Sequence, residues 1–305
     1  MRFAFDPEQL EFRDAARNLL EKECPPSAVR VAWSNDTGRV PGLWARLVEM
    51  GLFELDEVDS IMVLEETGRA CAPEPVVEAW ALGRADATLA LDSTPFALYA
   101  DTTDAIVAQR DDDLVRASLG ERRPSVDGTR RLFEVHDDGE VLDLDIAVVA
   151  ERAALAAAAQ LVGLAQHMLD VTVAYAGQRE QFGKPVGSFQ AVKHHLADAA
   201  LRLEFARPCV YRAAWVLANA DGLDERRGAA SLAKAQASEA ALLAARKALQ
   251  VHGAIGYTVE YDLHMWMKRA WALAAAWGDA AWHRTRVKDA LLNETAALKG
   301  TQADV

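Results

Sequence analysis

The chain has 305 residues, and at about 150 residues per domain this length predicts two or three units. Lys and Arg total 33 against 46 Asp and Glu, which gives a net charge of −13. That charge argues against nucleic-acid binding and against a basic helix lying on a membrane surface. A hydrophobic fraction of 51% suffices for a packed core and excludes overall disorder.

The first residues, the cysteines and the apolar runs all favour a cytoplasmic protein. An acid arrives at Asp6, too early for a secretory leader. No stretch reaches about 18 apolar residues without a charge, so no membrane-spanning segment is predicted. The cysteines are odd in number and far apart, which predicts neither a disulfide framework nor a metal site: Cys24, Cys71 and Cys209.

The first 85 residues are predicted to form a helical domain (1–85). Apolar residues at three- and four-residue steps predict a helix over 7–22, with Asp6 as its N-cap before a proline. A second helix is expected over 41–51, opened by a proline and closed by a glycine. A third is expected over 61–69.

The next segment, residues 86–147, changes character and is predicted to be a small β domain. Short apolar runs occur at 105–108 and 132–135. Aspartate- and glycine-containing turns at 111–113 and 137–139 separate these runs. We expect an irregular region of short strands, with the acidic turns exposed to solvent.

The last segment, residues 148–305, is predicted to be an up-and-down four-helix bundle. Apolar residues alternate steps of three and four without a break over 188–218, which is typical of a helix packed lengthwise against other helices. Small residues in this seam would let neighbouring helices approach closely: Ala199, Ala206 and Ala213. A second long helix is expected over 226–250. The predicted fold class is therefore mainly α.

A polar segment at 178–190 interrupts the helical pattern and carries the first candidate site. Its sequence is QREQFGKPVGSFQ, and a plain helix connection needs no such composition. Arg179 is expected to end one helix and Ser188 to cap the next. An arginine beside a helix N-terminus is a good anion site, because guanidinium, free N–H groups and helix dipole favour the same charge. On the residues alone, an ordinary Gly/Pro loop stays an equal alternative.

Residues 179–190 closely resemble the signature loop of the acyl-CoA dehydrogenase family. Two further stretches are similar to that family at matching distances: VGLAQ at 162–166 and QVHGAIGYTVEY at 250–261. The N-terminal stretches 5–17 and 43–52 are similar to its first helical domain. The resemblance implies the acyl-CoA dehydrogenase fold, with an N-terminal helical domain, a reduced middle β domain and a C-terminal four-helix bundle.

The same resemblance implies an FAD site. In that family a carboxylate takes the α-proton of an acyl-CoA while the flavin takes a hydride, and the FAD lies across a subunit interface. Arg179 would hold the pyrophosphate of an FAD whose flavin sits in the neighbouring subunit. The other implied cofactor-binding residues are Gln181 and Phe182 beside the pyrophosphate, Gln190 near them, and Gln250 with Gly253 at the adenosine half.

Neither position at which this family places its base holds a carboxylate. Counted along the resemblance, these positions are Trp277 and Ala153, and neither side chain can abstract a proton. Glu151 lies two residues before Ala153, about 200° round a helix. It is expected to be a helix-start acid that favours the positive dipole end. No catalytic residue is therefore assigned to this chain.

The middle domain also departs from the family. Relatives clasp the flavin ring with two strands that have no counterpart between 86 and 145; only the segment 125–132 looks like the family's exit from that domain. The resemblance therefore covers the FAD-diphosphate half of a site, without the base or the flavin-binding strands.

Three further features have simpler interpretations. Adjacent His194 and His195 diverge by about 100° on a helix and cannot share a metal, so one should be partly buried and the other exposed. Lys268 and Arg269 are expected to be a surface pair. The C-terminal aromatic residues are expected to serve core or subunit packing, with an acyl pocket as the alternative: Trp266, Trp271, Trp277 and Trp282.

The leading hypothesis is a cofactor-completing subunit of a heteromeric acyl-CoA dehydrogenase, inactive alone. A longer related chain would supply the base, in an expected heterotetramer with two copies of each chain (α2β2). The family resemblance suggests a steroid-derived CoA thioester as the acyl-CoA substrate. Two alternatives stay open: a self-sufficient homomeric oxidoreductase with Glu151 or Glu260 as an unusual base, and a non-enzymatic helical scaffold.

Overall fold

The computed structural model describes residues 4–303, with side chains described through residue 292. An N-terminal group of helices and two small sheets pack beside a C-terminal helical bundle. Most of the buried apolar side chains form one continuous core that spans the N-terminal helices and the bundle. The predicted fold class, mainly α with a small β region, is confirmed.

In the part of the chain that the structure describes, five α-helices precede the sheets: α1 (Pro7–Glu23), α2 (Pro26–Ser34), α3 (Leu43–Glu49), α4 (Glu57–Arg69) and α5 (Val76–Leu82). The predicted start of α1 is confirmed. The Asp6 side chain accepts from the Gln9 backbone N–H, while the Gln9 side chain accepts from the Asp6 N–H. This reciprocal capping box satisfies two N–H groups that would otherwise be free.

The sequence analysis missed α2 and α5, and two predicted helix starts were wrong. The helix predicted from residue 41 begins at Leu43, because Gly42 adopts a left-handed conformation with φ of 80° that ends the preceding turn. The helix predicted over 61–69 begins four residues earlier. Asp56 caps it by accepting from the N–H groups of Val58 and Asp59.

Two three-stranded sheets follow, built from β1 (Ala87–Ala90), β2 (Ala97–Leu98), β3 (Ala105–Arg110), β4 (Asp113–Arg116), β5 (Ser118–Arg123) and β6 (Leu132–His136). The first has the order β1-β3-β4, with β1 and β3 parallel and Ala87 opposite Ala105. The second has the order β2-β6-β5 and is antiparallel. The strands predicted at 105–108 and 132–135 are confirmed as β3 and β6.

The C-terminal part contains α6 (Ile146–Gln178), α7 (Gln190–Asn219), α8 (Leu223–His252), α9 (Leu263–Ala275) and α10 (Ala280–Ala303). A two-stranded hairpin, β7 (Glu180–Gln181) and β8 (Lys184–Pro185), connects α6 to α7. Helix α8 packs on α6, α7 and α10. The predicted seam of α7 is confirmed, since its small residues are at most 2% exposed: Ala199, Ala206 and Ala213.

Helix α6 is long and apolar enough to cross a membrane by length and composition alone. In this fold, 72% of its most apolar 18-residue window is buried inside the protein. Two glycines bring α6 into backbone contact with α4. A Cβ built on Gly163 would lie 1.9 Å from the Glu65 carbonyl oxygen, and one built on Gly68 would lie 2.1 Å from the Gln160 carbonyl oxygen.

The predicted surface pair Lys268 and Arg269 is half wrong. Lys268 is partly exposed, but Arg269 is buried and ion-paired with Asp127. The aromatic residues divide in the same way. Trp266 and Trp277 belong to the core, whereas Trp271 and Trp282 are 40% and 47% exposed. His194 is exposed and His195 is partly buried, as predicted.

Candidate FAD-diphosphate site

The hairpin between α6 and α7 presents the predicted signature loop. Arg179 is the C-cap of α6, and its carbonyl accepts from the Val186 N–H at 2.7 Å, which closes the hairpin. The two turn residues, Phe182 and Gly183, both have positive φ, of 54° and 77°. This is the type I′ pattern that fits the twist of a tight hairpin.

Ser188 does not cap α7, and this prediction was wrong. Ser188 lies in a short 3-10 turn, and α7 begins at Gln190 with Phe189 as its N-cap. Phe189 has no side-chain oxygen, so no side chain caps the first N–H groups of α7. Gln190, one of the predicted cofactor residues, is therefore the first residue of the helix rather than part of the loop.

Three predicted cofactor residues of this loop, Arg179, Gln181 and Phe182, are exposed. Phe182 is 91% exposed at the hairpin tip. A non-glycine residue at positive φ costs about 1–3 kcal/mol and is enriched at functional sites. Among the described side chains, Arg179 has no carboxylate partner. The loop therefore offers an unpaired guanidinium and an apolar ring to a ligand outside this chain.

The second predicted stretch lies at the end of α8. Gln250 is exposed in the last turn of the helix, and Gly253 follows it as the C-cap. Gly253 has φ of 66° and ψ of −143°, a conformation that residues with a Cβ rarely adopt. Among the described residues, apart from the glycine and its two chain neighbours, no atom lies within 4 Å of a Cβ built there. The glycine thus leaves an open backbone surface beside Gln250.

An aromatic contact brings the two stretches to the same end of the bundle. The rings of Tyr175 and His252 stack with centroids 4.2 Å apart, and Tyr261 lies against both. Tyr175 lies one helical turn before Arg179. The Tyr175 backbone carbonyl accepts a hydrogen bond from the Arg179 backbone N–H. His252 immediately precedes Gly253. The sequence analysis did not single out Tyr175, although an aromatic residue one turn before Arg179 was a usable signal.

Burial keeps the stacked imidazole neutral. His252 is 5% exposed, and desolvation lowers its pKa below the usual value. Its Nδ1–H donates to the Ala248 carbonyl at 2.8 Å. The stacked Tyr175 and His252 rings therefore hold the ends of α6 and α8 next to each other.

Both positions at which the family resemblance predicts a base are packed inside this chain. Ala153 is 0% exposed and Trp277 is 2% exposed. The Trp277 N–H donates to the Thr94 hydroxyl, and its carbonyl accepts from His283 at 2.8 Å. The turn around Trp277, which is the first of the two expected base positions, therefore contacts Thr94 in the segment between β1 and β2.

A buried lysine, Lys234 of α8, also binds the turn that contains Trp277. Nζ of Lys234 donates to the carbonyls of Gly278 at 3.0 Å and Ala274 at 3.2 Å, and to the Ser238 hydroxyl at 3.2 Å. Burial lowers the pKa of Lys234 to about 7. The sequence analysis missed this residue, because nothing in an alanine-rich helix marks one lysine as internal.

The two alternative bases are poorly placed for proton abstraction. Glu151 is not a helix-start acid, and that prediction was wrong. It is the sixth residue of α6, is 1% exposed and pairs with Arg286 of α10. Burial raises its pKa, against the attraction of Arg286. Glu260 is fully exposed, and a hydrogen bond from Thr258 lowers its pKa, which makes it a weaker base.

A polar cleft of about 270 Å³ between α1, α4, α6 and α7 contains none of the predicted cofactor residues. Its two acids, the buried Glu66 and the partly buried Glu65, are already paired. Glu65 accepts from Arg207 and from the Tyr211 hydroxyl, and Glu66 accepts from Arg17. We assign this cleft to the packing of the N-terminal helices on the bundle.

Comparison with known proteins supports the family. A family model described as "Acyl-CoA dehydrogenase, C-terminal domain" matches residues 147–292. Two curated relatives are both named acyl-CoA dehydrogenase IpdE2. The one from Mycolicibacterium smegmatis is 32% identical, with 85% of this chain and 90% of the relative covered. The one from Mycobacterium tuberculosis is 33% identical, with 87% and 91% covered.

Solved structures show the same fold at lower identity. The Tcur3481-Tcur3483 steroid ACAD superposes with a TM-score of 0.81 at 22% identity, over 95% of this chain and 99% of that chain. The ChsE4-ChsE5 complex from Mycobacterium tuberculosis superposes with a TM-score of 0.81 at 19% identity, over 96% and 99%. The chain belongs to the acyl-CoA dehydrogenase family, whose members are FAD-dependent oxidoreductases acting on CH–CH bonds.

Proposed function

We propose that this chain is a base-lacking subunit of a heteromeric acyl-CoA dehydrogenase, and that it completes an FAD site whose flavin end lies in a longer partner chain. One contrast carries the proposal. The loop residues proposed for the FAD diphosphate are exposed, and Arg179 has no carboxylate partner among the described side chains, whereas both base positions are closed by packing.

The exposed residues fit one half of FAD. A guanidinium binds a diphosphate through paired, charge-assisted hydrogen bonds, and Arg179 is free to do so among the described side chains. Gln181 adds an amide, and Phe182 adds an apolar surface at the tip. Gln250 and the open backbone at Gly253 suit the adenosine half. When bound, FAD supplies the hydride acceptor; these residues hold and orient it.

The proton-transfer half of the reaction is assigned to the partner chain. A general base must lie within hydrogen-bond reach of the proton that it removes. Trp277 and Ala153 have no basic atom, and Glu151 is held in a buried ion pair with Arg286. The partner would therefore supply the carboxylate and the strands that hold the flavin ring.

The assembly and the substrate class rest on the comparisons. One similar structure is named as a steroid ACAD of two proteins and another as a complex of two proteins. This similarity favours a heterotetramer with two copies of each chain, which acts on a steroid-derived CoA thioester. The fold likeness alone carries no substrate specificity.

The test compares the chain alone with the chain co-expressed with longer acyl-CoA dehydrogenase chains of the same genome, one at a time. FAD is measured by visible absorbance after gel filtration, and turnover by dye reduction with steroid-derived and short-chain acyl-CoA thioesters. We expect flavin and turnover only in the pair. A yellow, active protein from the chain alone would favour the self-sufficient enzyme, and a colourless pair would favour the scaffold.

A further inference from the structure

The hairpin between α6 and α7 carries a second exposed cation, Lys184, besides Arg179. Lys184 is the first residue of β8 and lies directly opposite Gln181 of β7. Its side chain is exposed, and no carboxylate pairs with it among the described side chains. Its ammonium is therefore available to an anionic group outside this chain.

The register of the hairpin puts Lys184 on the same face as Arg179. Side chains alternate between the two faces along a strand, and directly opposite residues share a face. Lys184 therefore shares a face with Gln181, and Arg179 lies two residues before Gln181 on that face. The bond from the Val186 N–H to the Arg179 carbonyl continues the pairing through this position. Glu180, the acid of the hairpin, belongs to the opposite face, so both cations are on one face and the acid is on the other.

An aromatic ring holds the Lys184 side chain against the hairpin. Its Nζ lies 4.4 Å from the centre of the Phe189 ring, within the range of a cation–π contact. Phe182 at the tip packs edge-on against the same ring, with the two centroids 6.1 Å apart. A side chain that is already positioned loses less conformational entropy when it binds a ligand. Phe189 thus prepares the ammonium for binding.

We propose that Lys184 is a second cation of the diphosphate site, which binds the FAD diphosphate together with Arg179, and that Phe189 is the residue that positions it. The two side chains suit different parts of the group. A guanidinium binds two oxygens as a fork, whereas an ammonium acts as a compact point charge. This inference rests on the proposed function for the identity of the ligand, and it adds two residues that the family resemblance did not supply.

The first test titrates FAD into the flavin-stripped complex and follows flavin fluorescence. Lys184→Gln removes the charge and should weaken FAD binding by about three- to tenfold, less than the loss of the arginine fork. Lys184→Arg should keep most of the affinity. Lys22→Gln is the matched control, because it removes an exposed lysine from the last turn of α1, a helix that packs on α4. It should leave FAD binding unchanged, and neither variant should change the melting temperature without FAD.

The second test asks whether Phe189 acts through Lys184. Phe189→Leu should weaken FAD binding when Lys184 is present and should add little in the Lys184→Gln background, since residues that act together are not additive. Phe189→Tyr keeps an aromatic face and should retain the wild-type affinity. An equal loss from Phe189→Leu in both backgrounds would overturn the positioning role.

The third test uses inorganic pyrophosphate, which presents the diphosphate without the rest of FAD. Its binding to the purified chain is measured by calorimetry, so the test holds even where a pair takes up no flavin. Lys184→Gln and Arg179→Ala should each weaken pyrophosphate binding by about threefold or more, and Lys22→Gln should not. A loss for FAD without a loss for pyrophosphate would put Lys184 at another part of the cofactor and overturn the proposal.

The outcomes separate this inference from the proposed function. Wild-type affinity of Lys184→Gln for both FAD and pyrophosphate, beside a loss in Arg179→Ala, would overturn the role of Lys184 and leave the proposed function intact. Wild-type FAD affinity in both variants would refute the hairpin as the diphosphate site, and the proposed function would fail with it.

Discussion

Arg269 and Asp127 form a buried ion pair that joins α9 to the segment leading into β6. Arg269 is 5% exposed and Asp127 is 0% exposed. The same guanidinium donates to the Thr129 hydroxyl at 2.6 Å and to the Ala72 carbonyl at 2.9 Å. One side chain thus joins the bundle, the β region and the N-terminal helices.

Removing this arginine should destabilise the whole chain. Arg269→Ala leaves the Asp127 carboxylate buried without its cation, and breaking a buried pair costs about 3–5 kcal/mol. The neighbouring Lys268→Ala is the matched control. Its ammonium lies 5.2 Å from the centre of the Trp33 ring, a contact worth about 0.5–1 kcal/mol. The free energy of unfolding of both variants is measured by urea unfolding. If Arg269→Ala and Lys268→Ala lower it equally, the buried ion pair adds no more stability than the exposed lysine contact.

The glycine contact between α4 and α6 predicts opposite effects for two substitutions in one helix. Gly163→Ala puts a methyl group 1.9 Å from the Glu65 carbonyl oxygen, so the helices must separate, at about 1–3 kcal/mol or more. At Gly177 an added Cβ meets nothing within 4 Å outside its own helical turn, among the described residues, so Gly177→Ala should stabilise by up to about 1 kcal/mol through helix propensity. The stability of the two variants relative to the wild type is measured by thermal unfolding. A Gly163→Ala variant as stable as the wild type would contradict the backbone contact.

Lys234 predicts a specific dependence of stability on pH. Burial lowers its pKa to about 7, whereas an unfolded lysine titrates near 10.4. Between these values the unfolded state binds more protons than the folded state, so the free energy of unfolding rises with pH. For this one group the slope approaches about 1.4 kcal/mol per pH unit.

Lys234→Met provides the test. The variant loses the contacts of Nζ with the carbonyls of Ala274 and Gly278 and with the Ser238 hydroxyl, and it also loses the titration of this lysine. The wild type should therefore gain stability relative to the variant between pH 7.5 and 9.5, measured by urea unfolding. Parallel curves for the two proteins would show that the lysine keeps an ordinary pKa.

Local signals in the sequence predicted the parts of the fold that local interactions determine. The Asp6 cap and the buried seam of α7 depend on residues three and four apart, and both were predicted. Helix α2 was missed because Pro25 and Pro26, which directly follow α1, favour the end of a helix. Proline also starts helices, because its absent N–H has no partner in the first turn anyway.

The candidate site rests on the resemblance to a known family, and its cofactor-binding residues stay a prediction. The partners of buried charges are remote in sequence: Arg269 finds Asp127 across 142 residues, and Glu151 finds Arg286 across 135 residues. No periodicity encodes such pairs. A seven-residue helix such as α5, buried on every side, likewise carries no amphipathic pattern to detect.

Glu151 distinguishes a structural acid from a catalytic one. Glu151→Gln should lower stability, because it breaks the buried ion pair with Arg286 and leaves that guanidinium without its carboxylate. Turnover per bound FAD in the complex should stay within twofold of the wild type, since the group is committed to an ion pair. Loss of turnover with full flavin and an unchanged melting temperature would make Glu151 the base and favour the self-sufficient enzyme.

Arg179 should control how much FAD the complex retains. A lost charge-assisted hydrogen bond costs roughly 1.5–3 kcal/mol, so Arg179→Ala should weaken FAD binding by about ten- to a hundredfold. Arg179→Lys should recover only part, because an ammonium cannot form the paired contact. Since Arg179 lies outside the core, the melting temperature without FAD should not change. Arg46→Ala removes an equally exposed arginine from α3 and should leave flavin content intact. FAD is titrated into the stripped complex and followed by flavin fluorescence; wild-type affinity in Arg179→Ala would refute the assignment of the diphosphate to this loop.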